Sequence, residues 1–185
     1  LFGMEIADRG QTLRWEPGFP ESWGHASLQL PYAKVQYRLH SGISGSKATY
    51  VAEHSSERGL RFSVFLPPCE IQNLTCNGNK VDYTLHPGLN RIKLTMMADP
   101  ALSHELELRY RIISPHEMSE MTVVGSGLNR LPFNQHISDV DDPQDILQEV
   151  DFEKNILKFR TRERSGEHTV FVKLRAPAFY VPLKL

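Results

Sequence analysis

The sequence predicts an all-β protein: a two-sheet antiparallel β-sandwich of jelly-roll-like kind, with one short helix near 143–149. Three observations carry this. In Leu60-Arg61-Phe62-Ser63-Val64 the apolar residues fall on every second position, as do Ile92, Leu94 and Met96, and then Leu106, Leu108, Tyr110 and Ile112. A two-residue period places apolar side chains on one face of a strand and charged ones on the other. Turn-forming pairs separate these runs, and no long window keeps the 3.6-residue period of an amphipathic helix.

Taken in order, residues 1–31 alternate little and are rich in Gly, Pro and Trp, which predicts an extended lead-in lying over a surface. Residues 33–112 form the main strand block, with strands at 34–39, 49–53 and 60–64, then a hairpin of a strand ending near Cys76 and one at 81–85. Asn77-Gly78 joins that hairpin, because both residues tolerate positive φ. Pro87-Gly88 is the next expected turn, before strands at 92–96 and 106–112. Residues 113–150 read as an irregular connection holding the one helix, from Pro143 to about Glu149, with Asp142 as its cap and Pro143 in the first helical position. Residues 151–185 hold a final hairpin, 157–161 with 169–174 about Ser165-Gly166, and a tail. Two strands alone hold no core, so the hairpin is expected to join the sheets of the main block and make one domain of 1–185.

Composition excludes several classes. Twenty-one Lys+Arg against 22 Asp+Glu leave a net charge of -1, which offers no electrostatic footprint for nucleic acid or an acidic membrane. The apolar runs are too short to span a bilayer, and no basic-then-apolar leader opens the chain. The start at Leu1-Phe2-Gly3 suggests a piece of a longer or processed protein. Cys69 and Cys76 are seven positions apart. In one extended strand they would lie about 23 Å from each other, beyond disulfide reach, so two buried thiols are expected.

Candidate chemistry is sparse. The eight histidines (His25, His40, His54, His86, His104, His116, His136 and His168) show no metal-binding spacing and read as scattered surface or turn residues. Asp139, Asp141 and Asp142 supply hard oxygen ligands that could hold Ca²⁺, although the glycine and closing Glu of an EF-hand loop are missing; no other cofactor is expected. Gly125-Ser126-Gly127 lacks the flanks of a nucleophile elbow. The aromatic residues near the start say more. Trp15, Phe19, Trp23 and Tyr32 lie in the extended, proline-containing stretch, either to stack on sugar rings or to pack the edge of the sandwich against a neighbouring domain.

That stretch also carries a resemblance. Leu1-Phe2-Gly3-Met4-Glu5, followed by Leu13-Arg14-Trp15-Glu16-Pro17-Gly18-Phe19-Pro20-Glu21-Ser22-Trp23, resembles the passage after the (α/α)6 barrel in six-hairpin bacterial glycoside hydrolases, where the chain enters a C-terminal β-sandwich. The hairpin from Leu74 to Tyr83, Asp142-Pro143-Gln144-Asp145-Ile146-Leu147 and Glu167-His168-Thr169-Val170-Phe171-Val172 are similar to its continuation. The resemblance implies a non-catalytic accessory domain whose partner is the catalytic barrel of the same parent chain, with an oligo- or polysaccharide as a further partner and a periplasmic or extracellular location. It carries over no catalytic residue, since the family's acid and base lie in the barrel. Two rival readings are a carbohydrate-binding module and a small β-sandwich enzyme or interaction domain.

Overall fold

The structure is a computed structural model that describes residues 2–20, 22–42, 45–113, 127–162 and 166–185. It is all-β, as the alternation predicts, and it divides into two compact units: residues 1–85 with 93–112, and residues 86–92 with 113–185. The sequence reading has a single domain. The division arises because the strands after residue 128 pair among themselves, as set out below.

In the first unit the strands are β1 (Met4–Ala7), β2 (Thr12–Trp15), β3 (His25–Gln29), β4 (Ala33–Gly42), β5 (Gly45–Leu66), β6 (Cys69–Cys76), β7 (Asn79–Lys80), β8 (Tyr83–Gly88) and β9 (Arg91–Ile112), of which β8 and β9 run past its limits. They make a nine-stranded sheet of order β1-β2-β5-β9-β6-β7, with β4 carrying β3 onto β5 and β8 lying on β9. Every hydrogen-bonded ladder described for it is antiparallel except β2 on β5, where Leu13 faces Leu60 and Trp15 faces Phe62 in parallel register. The lead-in is therefore not a surface strap: β1, β2 and β3 are members of the sheet.

The expected strands 49–53 and 60–64 are two ends of the single strand β5, and 92–96 and 106–112 are two ends of β9. The alternation keeps one phase through each. Ala48, Tyr50, Ala52, Leu60, Phe62, Val64 and Leu66 are buried on β5, as are Leu94, Met96, Leu106, Leu108 and Tyr110 on β9. Between the ends, 55–57 and 102–103 are exposed. Each long strand thus contributes two apolar stretches to the unit's core.

Turns follow local chemistry. Asn77 (φ 50°) and Gly78 (φ 79°) are both left-handed, the geometry of a type I′ hairpin, so the expected turn is there; its second strand is β7, with Cys76 on Asn79, while the strand expected at 81–85 begins at Tyr83 and lies on β9. Pro87-Gly88 is not the next turn. β8 runs through it, and the chain reverses at Leu89-Asn90 with Asn90 at φ 50°. Gly3 (φ 55°) shows what glycine permits here: a Cβ would overlap the Glu16 carbonyl, across the ladder where the Glu16 N–H donates to the Gly3 carbonyl at 2.8 Å. Gly3→Ala is expected to unpair β1 from β2 and to lower stability by about 2 kcal/mol or more, read as faster amide exchange at Met4–Ala7.

In the second unit, β10 (Asn129–Pro132), β13 (Ile156–Thr161) and β12 (Leu147–Glu153) form one three-stranded sheet; β11 (Ile137–Asp141), β14 (Thr169–Leu174) and β15 (Phe179–Lys184) form another. The expected final hairpin does not exist. β13 pairs with β12 and β10, while β14 pairs with β11 and β15, so the two strands belong to different sheets. Sequence alternation fixes each strand's inner face but carries no information about its partner. Leu131, Leu157 and Phe159 are buried from the first sheet, and Val170, Val172, Leu174, Phe179, Val181 and Leu183 from the second, so the core comes from one face of each, as in a sandwich.

The expected helix at 143–149 is also absent. Asp142 does act as a local acceptor, taking the Leu147 N–H on its Oδ2 at 2.7 Å, but it closes a turn. Asp145 sits at φ 50°, which no α-helix tolerates, and Leu147 opens β12. Seven residues are too few to hold a helix against the packing of Ile146 and Leu147, which are 2% and 5% exposed.

Candidate functional site

In the first unit the lead-in aromatics and the inner faces of β4 and β5 build one ladder of rings. Trp15 is buried and meets Tyr50 edge-on at 5.8 Å and Phe62 at 5.6 Å. Tyr50 leads to Tyr37 (5.1 Å) and Tyr37 stacks on Phe19 at 4.7 Å with planes 24° apart. Phe19 in turn takes Phe2 edge-on at 5.2 Å and Trp23 near-parallel at 6.4 Å. Burial falls along this series, from Trp15 at 1% exposure, through half-buried Phe19, to Trp23 at 41%. Burial, with Tyr37 and Tyr110 adding smaller effects, pushes the Tyr50 phenol well above the ordinary tyrosine range. The prolines set the path: Pro17 is buried, and the Trp23 N–H closes a turn on the Pro20 carbonyl at 2.9 Å.

Three of the four aromatics singled out from the sequence, Trp15, Phe19 and Trp23, are therefore brought together. The fourth is not. Tyr32 contributes its backbone carbonyl elsewhere, to the hydroxyl and N–H of Ser55 and to the Arg58 guanidinium at 3.2 Å. Of the three, only Trp23 is exposed, while Trp15 belongs to the core.

On the other face of the same strands lies a polar trough of about 290 Å³, with Gln36, Arg38 and His40 from β4, Lys47 and Thr49 from β5, and Glu105 from β9 along it. Cross-strand register explains the grouping, since Arg38 faces Thr49 and His40 faces Lys47.

Compared with known protein families, curated proteins and solved structures, the chain finds no match. The resemblance to six-hairpin glycoside hydrolases is one of sequence motifs alone.

A pairing the sequence reading missed lies in the first unit. His54 on β5 and His104 on β9 meet at 3.0 Å, Nε2 to Nδ1, and His104 Nε2 lies 2.9 Å from the Asp99 carbonyl. The tautomers follow. A carbonyl only accepts, so His104 carries its proton on Nε2; its bare Nδ1 accepts from His54 Nε2–H. The His54 Nδ1 lone pair is left buried and without a partner. Burial first, and then the neighbouring His104 and Arg58, lower the His54 imidazole to about 4. The signal was present in the strand phase. His54 continues the inward row Ala48, Tyr50, Ala52, and His104 begins the inward row Leu106, Leu108, Tyr110, so a two-residue count places both rings inside.

The aspartates do not gather. Among the described residues no group of three or more His, Cys, Asp or Glu side chains is placed to hold a metal ion. Asp139 Oδ1 takes the N–H of Val140, Asp142 is committed to the Leu147 N–H, and neighbouring Asp145 pairs with Arg162 at 2.9 Å. Asp139, Asp142 and Asp145 thus fasten turns and strand ends.

Both cysteines lie at the ends of β6, unbridged and buried as expected. Burial pushes the Cys69 thiol up to about 12 and the Cys76 thiol upward as well. The thiolate is the reactive species. Neither cysteine is expected to react with a disulfide reagent at pH 8 until denaturant is added, when two equivalents should react; fast labelling of the native protein would contradict this burial.

Proposed function

We propose that this chain is a non-catalytic accessory domain of a glycoside hydrolase, packing against a catalytic (α/α)6 barrel that is not part of this sequence. One observation supports it most. The run that carries the resemblance, Leu13 to Trp23, begins as a strand locked into the sheet, with Leu13 and Trp15 buried, and ends in a ring open to solvent. A tryptophan held on a stacked Phe19–Tyr37 pair is positioned by the core yet leaves a large apolar face for another body. A domain seated there would cover it.

The sequence encoded around this chain tests the reading. Several hundred residues with the helical periodicity of a six-hairpin barrel are expected there, and an unrelated neighbour would overturn it. The chain by itself is expected to turn over no aryl glycoside.

A second reading is favoured by the same ring. Trp23 with its Phe19 support is also a platform for a sugar ring, as in a carbohydrate-binding module. Trp23→Ala separates the two. At 41% exposure the ring is expected to cost less than about 1 kcal/mol of stability on removal. Glycan binding lost in that variant, with unfolding unchanged, selects the carbohydrate-binding module.

A further inference from the structure

We propose that the polar trough on β4, β5 and β9 binds an oligosaccharide bearing carboxylates, of the uronate kind. The inference rests on the reading of this chain as part of a carbohydrate-directed protein and adds the class of sugar.

The trough comes from strand phase. On β4 the inward row is Ala33, Val35, Tyr37, which sends Gln36, Arg38 and His40 to the opposite face. On β5 the inward residues Ala48, Tyr50 and Ala52 leave Lys47, Thr49 and Val51 outward, and these three are half-buried, forming a floor. On β9, Glu105, Glu107 and Arg109 alternate with buried Leu106 and Leu108 and form the far wall. β5 lies between β4 and β9 in the sheet, so the three rows run side by side. Its volume of about 290 Å³ falls just short of the ~300–1,000 Å³ usual for ligand clefts. A second groove of about 360 Å³ shares His40 and Lys47 with it, extending the surface toward Gln72 and Arg109.

The charges in it are unevenly used. Lys47 donates to Glu107 at 2.7 Å, and Arg109 donates to the other oxygen of the same carboxylate at 2.8 Å. Those three groups satisfy one another. The Arg38 side chain, on the facing wall, makes no ion pair or hydrogen bond with the described residues, nor does that of His40 beside it. A guanidinium presents a planar fork that fits a carboxylate bidentately. Glu105 on the opposite wall offers only acceptors at neutral pH and calls for hydroxyl donors. A chain with carboxylates and hydroxyls on one ring meets both demands. A polyphosphate meets only the first, since it offers acceptors to the guanidinium but brings no hydroxyl donors for Glu105. The Trp23 stretch is fastened at the same place: the Leu39 N–H, between Arg38 and His40, donates to the Gly24 carbonyl at 2.8 Å.

The test is calorimetric titration of the full chain with short oligogalacturonates and with neutral galactose oligomers of equal length, alongside amide-shift mapping. The acidic oligomers are expected to bind more tightly by about tenfold or more, to weaken as salt rises, and to shift the amides of Thr49 and Val51. Arg38→Gln should lose about tenfold in affinity without a change in melting temperature, because Arg38 is exposed. Equal binding of neutral and acidic oligomers, or binding untouched in Arg38→Gln, would overturn this inference and leave the carbohydrate reading standing. Shifts confined to Trp23 would overturn it in favour of the aromatic platform. Binding of neither sugar would overturn it as well, leaving the accessory-domain reading to be decided by the neighbouring sequence.

Discussion

Trp15→Ala is expected to destabilise the first unit by about 3–5 kcal/mol, the range for deleting a buried tryptophan or phenylalanine from a packed core. The ring is 1% exposed, sits in parallel register with Phe62, and makes edge-on contacts with both Phe62 and Tyr50. Its removal would leave a void beneath β2, the strand that ties β1 to the rest of the sheet. Trp15→Phe gives the sharper result. The indole Nε1–H is buried with no hydrogen-bond partner. Such an orphan donor costs about 1–3 kcal/mol, so replacing it with a phenyl ring removes a penalty along with some contact area. The phenylalanine variant should therefore stay within about 1.5 kcal/mol of the parent protein. Denaturant unfolding followed by circular dichroism measures both. An alanine variant that unfolds at nearly the parent's midpoint would show that the ring ladder is not the anchor of this unit.

That ladder also marks where the sequence was legible and where it was not. Strong alternation in Leu60–Val64, Ile92–Met96 and Leu106–Ile112 gave the inner faces of β5 and β9, and Asn77-Gly78 gave its turn, because each of these signals is local and steric. Trp15 was legible only as an aromatic in a polar stretch. Its strand, Thr12–Trp15, has four residues, too few to show a period, and it is fixed by a parallel ladder to residues some 47 positions away (Trp15 to Phe62). Partner choice failed for the same reason in the second unit, where β13 and β14 each alternate well yet join different sheets. The helix expected at Pro143 failed differently. Asp142 accepts from the Leu147 N–H, five residues on and at the start of β12, instead of from the first turn of a helix, because the following residues are claimed by a strand. At the candidate site, Phe19 and Trp23 could be picked out by type. The Arg38–His40 wall could not, since exposed charges on a strand look alike until the neighbouring rows are known.

The histidine pair makes stability depend on acidity in a direction opposite to that of a salt-bridged histidine. His54 is held neutral, its imidazole lowered from 6.5 to about 4 in the folded protein. Between those values the unfolded chain binds a proton that the folded chain refuses, so ΔG of unfolding falls as pH falls. The contribution is complete above pH 6.5, declines through that window, and levels off once pH drops below about 4. Each unit of displacement corresponds to about 1.4 kcal/mol; partial exposure of the ring reduces the whole effect to the order of 1–2 kcal/mol. The geometry says where it acts. A proton added to the buried His54 Nδ1 places a cation in the environment of Arg58, which holds the Gly10 carbonyl at 2.9 Å and the Tyr32 carbonyl at 3.2 Å. The turns before β2 and before β4 should therefore loosen first, visible as acid-enhanced amide exchange there. His54→Gln supplies the control, because its amide can still donate to His104 Nδ1 but does not titrate. The variant should lose the excess slope between pH 6.5 and 4 while keeping the background slope of the carboxylates. Identical slopes in the two proteins would mean that the His54 ring protonates freely in the folded state.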